Sequence, residues 1–274
     1  MLRNLGPEDV PQLRELIAVD PLINLFVDYR VEMTHMLPRW IGGSIWGYFE
    51  SGTLVSACHA ASNLIPVEAS TAAIEAFAEH ALRTHTTCSS IVGPQEAVLG
   101  LWDVLEPHWG PARSPRLAQP FMTMERDSLI EPDERVRRVV MDEFEMLYPA
   151  CVAMFTEEVG LDPEATSKTG YRARIAQLIS QGWSFAIIED GEVLFKAEIG
   201  AATARGCQIQ GVYVAPKLRG QGMAANALAS VVNMARSTIA PSVTLYVNDH
   251  NLAARRTYDR VGFVQTATFA TILL

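Results

Sequence analysis

One stretch constrains this chain more than any other. An alternating run, CQIQGVYVAP, meets the loop Lys217-Leu218-Arg219-Gly220-Gln221-Gly222. Beyond it Ala224, Ala227, Leu228, Val231, Val232 and Ala235 recur at helical spacing. The run predicts a strand closed by Pro216, and 223–236 predicts a helix. Two glycines at such a junction let backbone N–H groups converge on an anion that the positive helix end also favours. Arg219 would add a full charge at the mouth. A flexible connection would use glycine here as well, so the loop's neighbours have to decide.

Upstream, SFAIIEDGEVLFKAEIG reads as two strands around a turn at Asp190-Gly191, because Asp-Gly between apolar runs is a strong hairpin signal. Residues 141–159 and 171–181 read as helices, with a first strand at 137–140. Downstream come a strand at 243–247, a short helix starting near Asn251 and ending around Gly262, and a tail, FVQTATFATILL, that forms a final strand or hairpin. The amino-terminal half echoes this plan: WGYFESGTLV aligns with FAIIEDGEVL at a constant offset of 139 (46 to 185), placing Glu50 on Glu189 and Gly52 on Gly191. Either the fold is duplicated or two unrelated hairpins coincide. A linker at 128–133 follows the strand-like FMTME and divides the chain into residues 1–128 and 129–274.

Composition narrows the partners. A chain of 274 residues with 49% hydrophobic and 19% charged residues has the makeup of a globular protein. A net charge of -9 disfavours nucleic acid and anionic lipid. No segment approaches the roughly 18 apolar residues of a membrane span, and charges interrupt the amino terminus where a signal peptide needs an apolar run, so the expected location is cytoplasmic. Cys58, Cys88, Cys151 and Cys207 lie far apart, and the histidines show no ligand spacing, so no metal site is expected.

Two nucleotide-binding loops compete for 219–224. The P-loop fails, since no lysine followed by Ser or Thr comes after Gly222. The sequence Gly220-Gln-Gly222-Met-Ala-Ala225 satisfies the dinucleotide fingerprint, with Asp249 beyond the next strand, but residues 215–219 intervene between strand and glycines and too little chain remains for that fold. The pattern Val212-x-Val214-x-Pro216-x-x-Arg219-Gly220-x-Gly222-x-Ala224, followed by Val247-x-x-x-Asn251-x-x-Ala254-x-x-x-Tyr258-x-x-x-Gly262-Phe263, resembles the GNAT family of acyl-CoA-dependent N-acetyltransferases. The resemblance is close over roughly the last 90 residues. The two-part chain is also similar to actinobacterial proteins in which a GNAT-like domain precedes a GNAT domain.

That resemblance implies an α/β (α+β) fold: a mixed, mostly antiparallel sheet flanked by helices, in tandem with a degenerate amino-terminal copy. It implies acetyl-CoA as cofactor, held by the loop Arg219, Gly220, Gln221, Gly222, Met223 and Ala224, by main-chain atoms of Val212 and Val214, and by Asn251. It assigns Tyr258 the proton for the departing thiolate. Glu198, on the second hairpin strand, is the candidate base, with a solvent-facing carboxylate as the alternative. Gln208 and Gln210 share parity with Val212 and Val214, so they are expected to face the same cleft and contact substrate. The reaction implied is acetyl transfer to a primary amine of a small molecule, peptide or protein, and the alternative is a non-catalytic acyl-CoA-binding regulatory protein. An oxidoreductase would be preferred only if a nicotinamide cofactor stabilised the fold. In the amino-terminal half, Gly93-Pro94-Gln95 is the nearest glycine before a helix and lacks the rest of the motif. That half then shapes the acceptor site, forms a homodimer or stabilises its neighbour.

Overall fold

Asp190 and Gly191 both take left-handed backbone, with φ of 49° and 79°, and so do Ser51 and Gly52, with φ of 49° and 87°. Two successive left-handed residues give the turn whose twist matches an antiparallel ribbon, so each pair joins two strands directly. The computed structural model describes all 274 residues, the side chain of Pro38 excepted. By compactness the chain divides into a first unit of Met1–Met122, Tyr246–Leu252 and Gln265–Leu274, and a second of Thr123–Leu245 and Ala253–Val264.

The first unit runs β1 (Leu2–Asn4), α1 (Val10–Ile17), α2 (Leu25–Thr34), α3 (Pro38–Ile41), β2 (Ser44–Glu50), β3 (Thr53–Ala60), β4 (Asn63–Val67), α4 (Thr71–Arg83), β5 (Ser90–Pro94), α5 (Gln95–Trp109) and β6 (Ser114–Met124). The second runs β7 (Arg137–Arg138), α6 (Phe144–Val159), α7 (Pro163–Ser180), β8 (Ser184–Glu189), β9 (Glu192–Ala202), β10 (Gly206–Val214), α8 (Met223–Thr238), β11 (Ser242–Tyr246) and α9 (Leu252–Val261). The tail is one strand, β12 (Val264–Leu273), with no hairpin. It joins the first unit, pairing antiparallel with β5 from Phe269↔Pro94 to Leu273↔Ser90 and burying Ala270 and Ile272 among Trp102, Leu105 and Phe77. Strand order is β1-β2-β3-β4-β5-β12-β6 in the first unit and β11-β10-β9-β8-β7 in the second. Neighbours are mostly antiparallel; β4 with β5 and β10 with β11 run parallel.

The echo between the halves extends beyond the turns. The ladder of β2 and β3 slips between Tyr48 and Phe49, and that of β8 and β9 slips between Ile187 and Ile188, at the same offset of 139. Two unrelated hairpins need not share a bulge position, so the coincidence supports duplication of one fold. The predicted helix at 171–181 begins earlier, at Pro163, and breaks at Ser167, whose φ of -161° and ψ of 87° are not helical. Asp162 caps its start by accepting from the Glu164 N–H.

His59, on β3, is 3% exposed, and neither ring nitrogen has a well-formed hydrogen-bond partner among the described residues. Burial, and after it the nearby Arg30 charge, push its pKa down to about 4. At pH above 6.5 both folded and unfolded chains hold it neutral. As pH falls from 6.5 to 4 only the unfolded chain takes the proton, so about 3 kcal/mol of stability is lost across that window. Thermal melts from pH 7 to 4 should show His59→Leu losing distinctly less stability than wild type.

Candidate active site

β10 is ordinary at its start and unusual afterwards. It pairs with β11 only through Gly206↔Ser242, Cys207↔Val243 and Gln208↔Thr244; from Ile209 onward it has no ladder partner on that side among the described residues. Its other side stays bonded to β9 as far as Val214↔Phe195. The second half of β10 therefore has a row of main-chain groups without a strand partner on that side, which a ligand able to pair as a strand does could use.

The pairing with β9 slips at Gln208/Ile209 and again at Gln210/Tyr213. Strict alternation would place Gln208, Gln210, Val212 and Val214 on one face, and these slips correct that expectation. Gln210 stands opposite Glu198 and Tyr213 opposite Lys196, whereas Val214 stands opposite Phe195 on the other face. Gln208 is half-buried. Gln210 is exposed and lies over Gly200, where a Cβ would come 2.2 Å from its Oε1.

After Val214 the chain makes a short 3-10 turn, Pro216–Leu218, and enters the glycine loop. Gly220 and Gly222 have φ of 76° and 84°. A Cβ on Gly220 would meet nothing within 4 Å, so the backbone conformation and not space is what calls for glycine. Gly222 opens α8 without a side-chain cap, which leaves the first-turn N–H groups from Met223 and Ala224 onward open to an anion. Gln221 Nε2 donates to the Lys217 carbonyl at 2.8 Å and ties the loop to itself. The Arg219 charge does not stand free at the mouth. Its guanidinium donates to both Glu157 carboxylate oxygens, at 2.7 and 2.8 Å, and its Nε donates to the Val214 carbonyl at 3.0 Å. Beside the loop lies a cavity of about 710 Å³ lined by Gln221, Gly222, Met223, Asn226, Arg260 and the strip from Pro132 to Arg135. Arg260, which sequence reasoning missed, reaches within 3.8 Å of the point a Cβ on Gly222 would occupy. Only the packing of α9 brings it there.

Tyr258, on α9, is buried against Phe263 with ring centroids 6.0 Å apart. Burial, and after it the charge of Glu158, push its phenol well above the usual tyrosine range, so it keeps its proton. Glu198 is neither solvent-facing nor unpaired: it is 3% exposed, with the Lys196 ammonium 2.5 Å away. Asn251 precedes α9 and donates its N–H to the Asn248 carbonyl at 2.9 Å; its segment, Tyr246–Leu252, is grouped with the first unit.

In the first unit the comparable strand-to-helix junction is β4 to α4, and not Gly93-Pro94-Gln95, which joins β5 to α5. There Asn63 and Leu64 pair with β5 as Gly206 and Cys207 pair with β11. Ile65, Pro66 and Val67 then stay paired with β3 alone, and the chain reaches its helix at Thr71 through Glu68, Ala69 and Ser70, with no glycine loop. Ser70 Oγ accepts from the Ala73 N–H at 3.3 Å, so this helix start is already capped.

Among family models, the Acetyltransferase (GNAT) family matches residues 153–263, the segment that holds the parted strand, the glycine loop and Tyr258. Residues 153–263 form a GNAT-family domain. A second model, described as a domain of unknown function (DUF4081), matches residues 43–147. Among solved structures, the whole chain resembles a GCN5-related N-acetyltransferase from Sphaerobacter thermophilus at 17% identity and a TM-score of 0.59, covering 99% of this chain and 94% of that one. It also resembles a tandem GNAT protein from the clavulanic acid biosynthesis pathway at 12% identity and 0.57, covering 100% and 98%. A GNAT acetyltransferase from Colwellia psychrerythraea gives 14% and 0.56, covering 100% and 99%. At these identities the likeness establishes the fold, a mostly antiparallel sheet flanked by helices in a tandem arrangement. No curated protein matches the sequence. No helix among the described residues is long and apolar enough to cross a membrane.

If the phosphates of an acyl-CoA compete with Glu157 for Arg219, Glu157→Gln should tighten CoA binding roughly two- to fivefold, the scale of an exposed ion pair. Titration calorimetry decides: weaker binding would mean that Glu157 holds Arg219 in its working orientation.

Proposed function

We propose that this protein is an N-acetyltransferase that moves an acetyl group from acetyl-CoA to a primary amine of a small molecule, peptide or protein. The observation that carries this reading is the parting of β10 from β11 directly before an uncapped helix start. A main-chain edge for an extended amide chain and an amide nest for a pyrophosphate then follow one another along the same few residues. Acetyl-CoA, when bound, supplies an activated acyl thioester. The amides of Gly220 to Ala224, with Arg219 and Gln221, take the phosphate end. Val212 and Val214 offer main-chain partners to the arm that leads to the thioester. Tyr258 Oη, held protonated by burial, gives its proton to the departing sulfur. Gln208 and Gln210 orient the acceptor. Glu198 is held by Lys196, so the amine loses its proton to water.

Acetyl-CoA should raise the melting temperature, and a panel of amines, peptides and protein amino termini should include one that releases free thiol. With that acceptor, Tyr258→Phe is expected to lower kcat roughly 100-fold with little change in KM for acetyl-CoA. An unaltered kcat removes Tyr258 from the proton transfer. The capture of Glu198 by Lys196 also favours a second reading, a protein that binds acyl-CoA without turning it over. It predicts stabilisation by acetyl-CoA with no thiol released by any acceptor.

A further inference from the structure

Lys196 and Glu198 are 1% and 3% exposed. The Lys196 ammonium donates to Glu198 Oε1 at 2.5 Å, the Cys151 thiol donates to the same oxygen at 3.4 Å, and Tyr171 Oη donates to the Cys151 carbonyl at 2.9 Å. Burial works against the lysine's charge, but Glu198 and Cys151 favour it by more, and its pKa ends above the ordinary value. A buried ion pair is a poor way to stabilise a core, because apolar residues of similar volume do as well or better.

Its position gives it another use. Between Gln210↔Glu198 and Tyr213↔Lys196, β10 advances three residues while β9 advances two. The surplus falls at Gly211, with φ of 61°. A Cβ there would lie 3.1 Å from Glu198 Oε2, 3.2 Å from Lys196 Nζ and 3.0 Å from Met154 Cε. The ion pair therefore fills the crook of the bulge, in contact with the backbone that leads to Val212 and Val214. A bulge re-aims the strand that follows it.

We propose that Lys196 and Glu198 are positioning residues: their pair holds the bulge at Gly211 and so aims the main chain of Val212 and Val214 at the acyl carbonyl of the bound thioester. The proposal rests on the reading of β10 as the acyl-binding strand. It assigns to the pair a role that neither partner plays alone, and it explains a buried charge on a strand that could have been wholly apolar.

The test needs no acceptor. Acetyl-CoA carrying 13C at its thioester carbonyl is bound to wild type and to the double variant Lys196→Met/Glu198→Met, and the carbonyl stretch is read by isotope-edited infrared difference spectroscopy. Wild type should lower the frequency relative to free acetyl-CoA. The double variant should melt near wild type, well above Lys196→Met alone, which strands Glu198. It should bind CoA with nearly unaltered affinity yet lose most of the frequency shift. Gly211→Ala, with the pair intact, should show the same loss. A wild-type shift in either folded variant overturns the proposal, as does a double variant that cannot fold, which would make the pair a requirement of the core. If wild type itself binds no acetyl-CoA, the transferase reading falls first.

Discussion

A strand in the middle of a sheet normally spends its main-chain donors and acceptors on both neighbours, and leaving a buried one unpaired costs about 1–3 kcal/mol. β10 keeps that arrangement with β11 only as far as Gln208. Everything distinctive about the second unit follows from the parting. The freed edge needs water or a ligand that pairs as a strand does, and the bulge at Gly211 redirects the chain. The same departure carries it through Pro216–Leu218 to an α8 start that is uncapped and opened by left-handed glycine. The parting and the glycine loop follow one another along the chain, the strand edge first and the uncapped helix start after it.

The first unit shows what the fold looks like without the glycine loop: β4 also leaves β5 after Leu64, but the helix start that follows is capped. Its hairpin keeps the turn geometry and even the bulge position of the second, and its β4 and β5 begin in parallel as β10 and β11 do. From there the chain takes the short route to α4, where Ser70 supplies the cap. Duplicated scaffolding can thus persist on packing alone, because a hairpin and its bulge are fixed by neighbouring residues, while the glycine loop has no packing task that would retain it. The cores differ accordingly: Trp46, Phe77 and Trp102 fill the space beneath α4 and α5, and β12 completes the sheet beside β5.

Much of this was legible in the sequence wherever local chemistry decides. Asp190-Gly191 fixed its turn, and Gly220 and Gly222 marked the loop because left-handed backbone selects glycine irrespective of surroundings. Helical spacing located α8 to within about two residues of its carboxy-terminal end. What stayed hidden depends on distant parts of the chain. Arg219 reads as a free charge until α6 delivers Glu157, and Glu198 reads as a candidate base or a solvent-facing carboxylate until β9 is covered and Lys196 closes on it. Parity along β10 fails because a bulge is a property of two strands, and Gly211 announces it only once its partner is known. The departure of β12 to the first unit is written nowhere near β12, since its place depends on β5, far away in sequence.

The most direct measurement is hydrogen–deuterium exchange with and without CoA. The amides of residues 211–214 and 220–224 should slow by at least roughly tenfold on binding, as they acquire partners, while those of residues 67–71 exchange unchanged. Protection at residues 67–71, or none at residues 220–224 under saturating CoA, would contradict the assignment of the cofactor to the parted strand and glycine loop of the second unit.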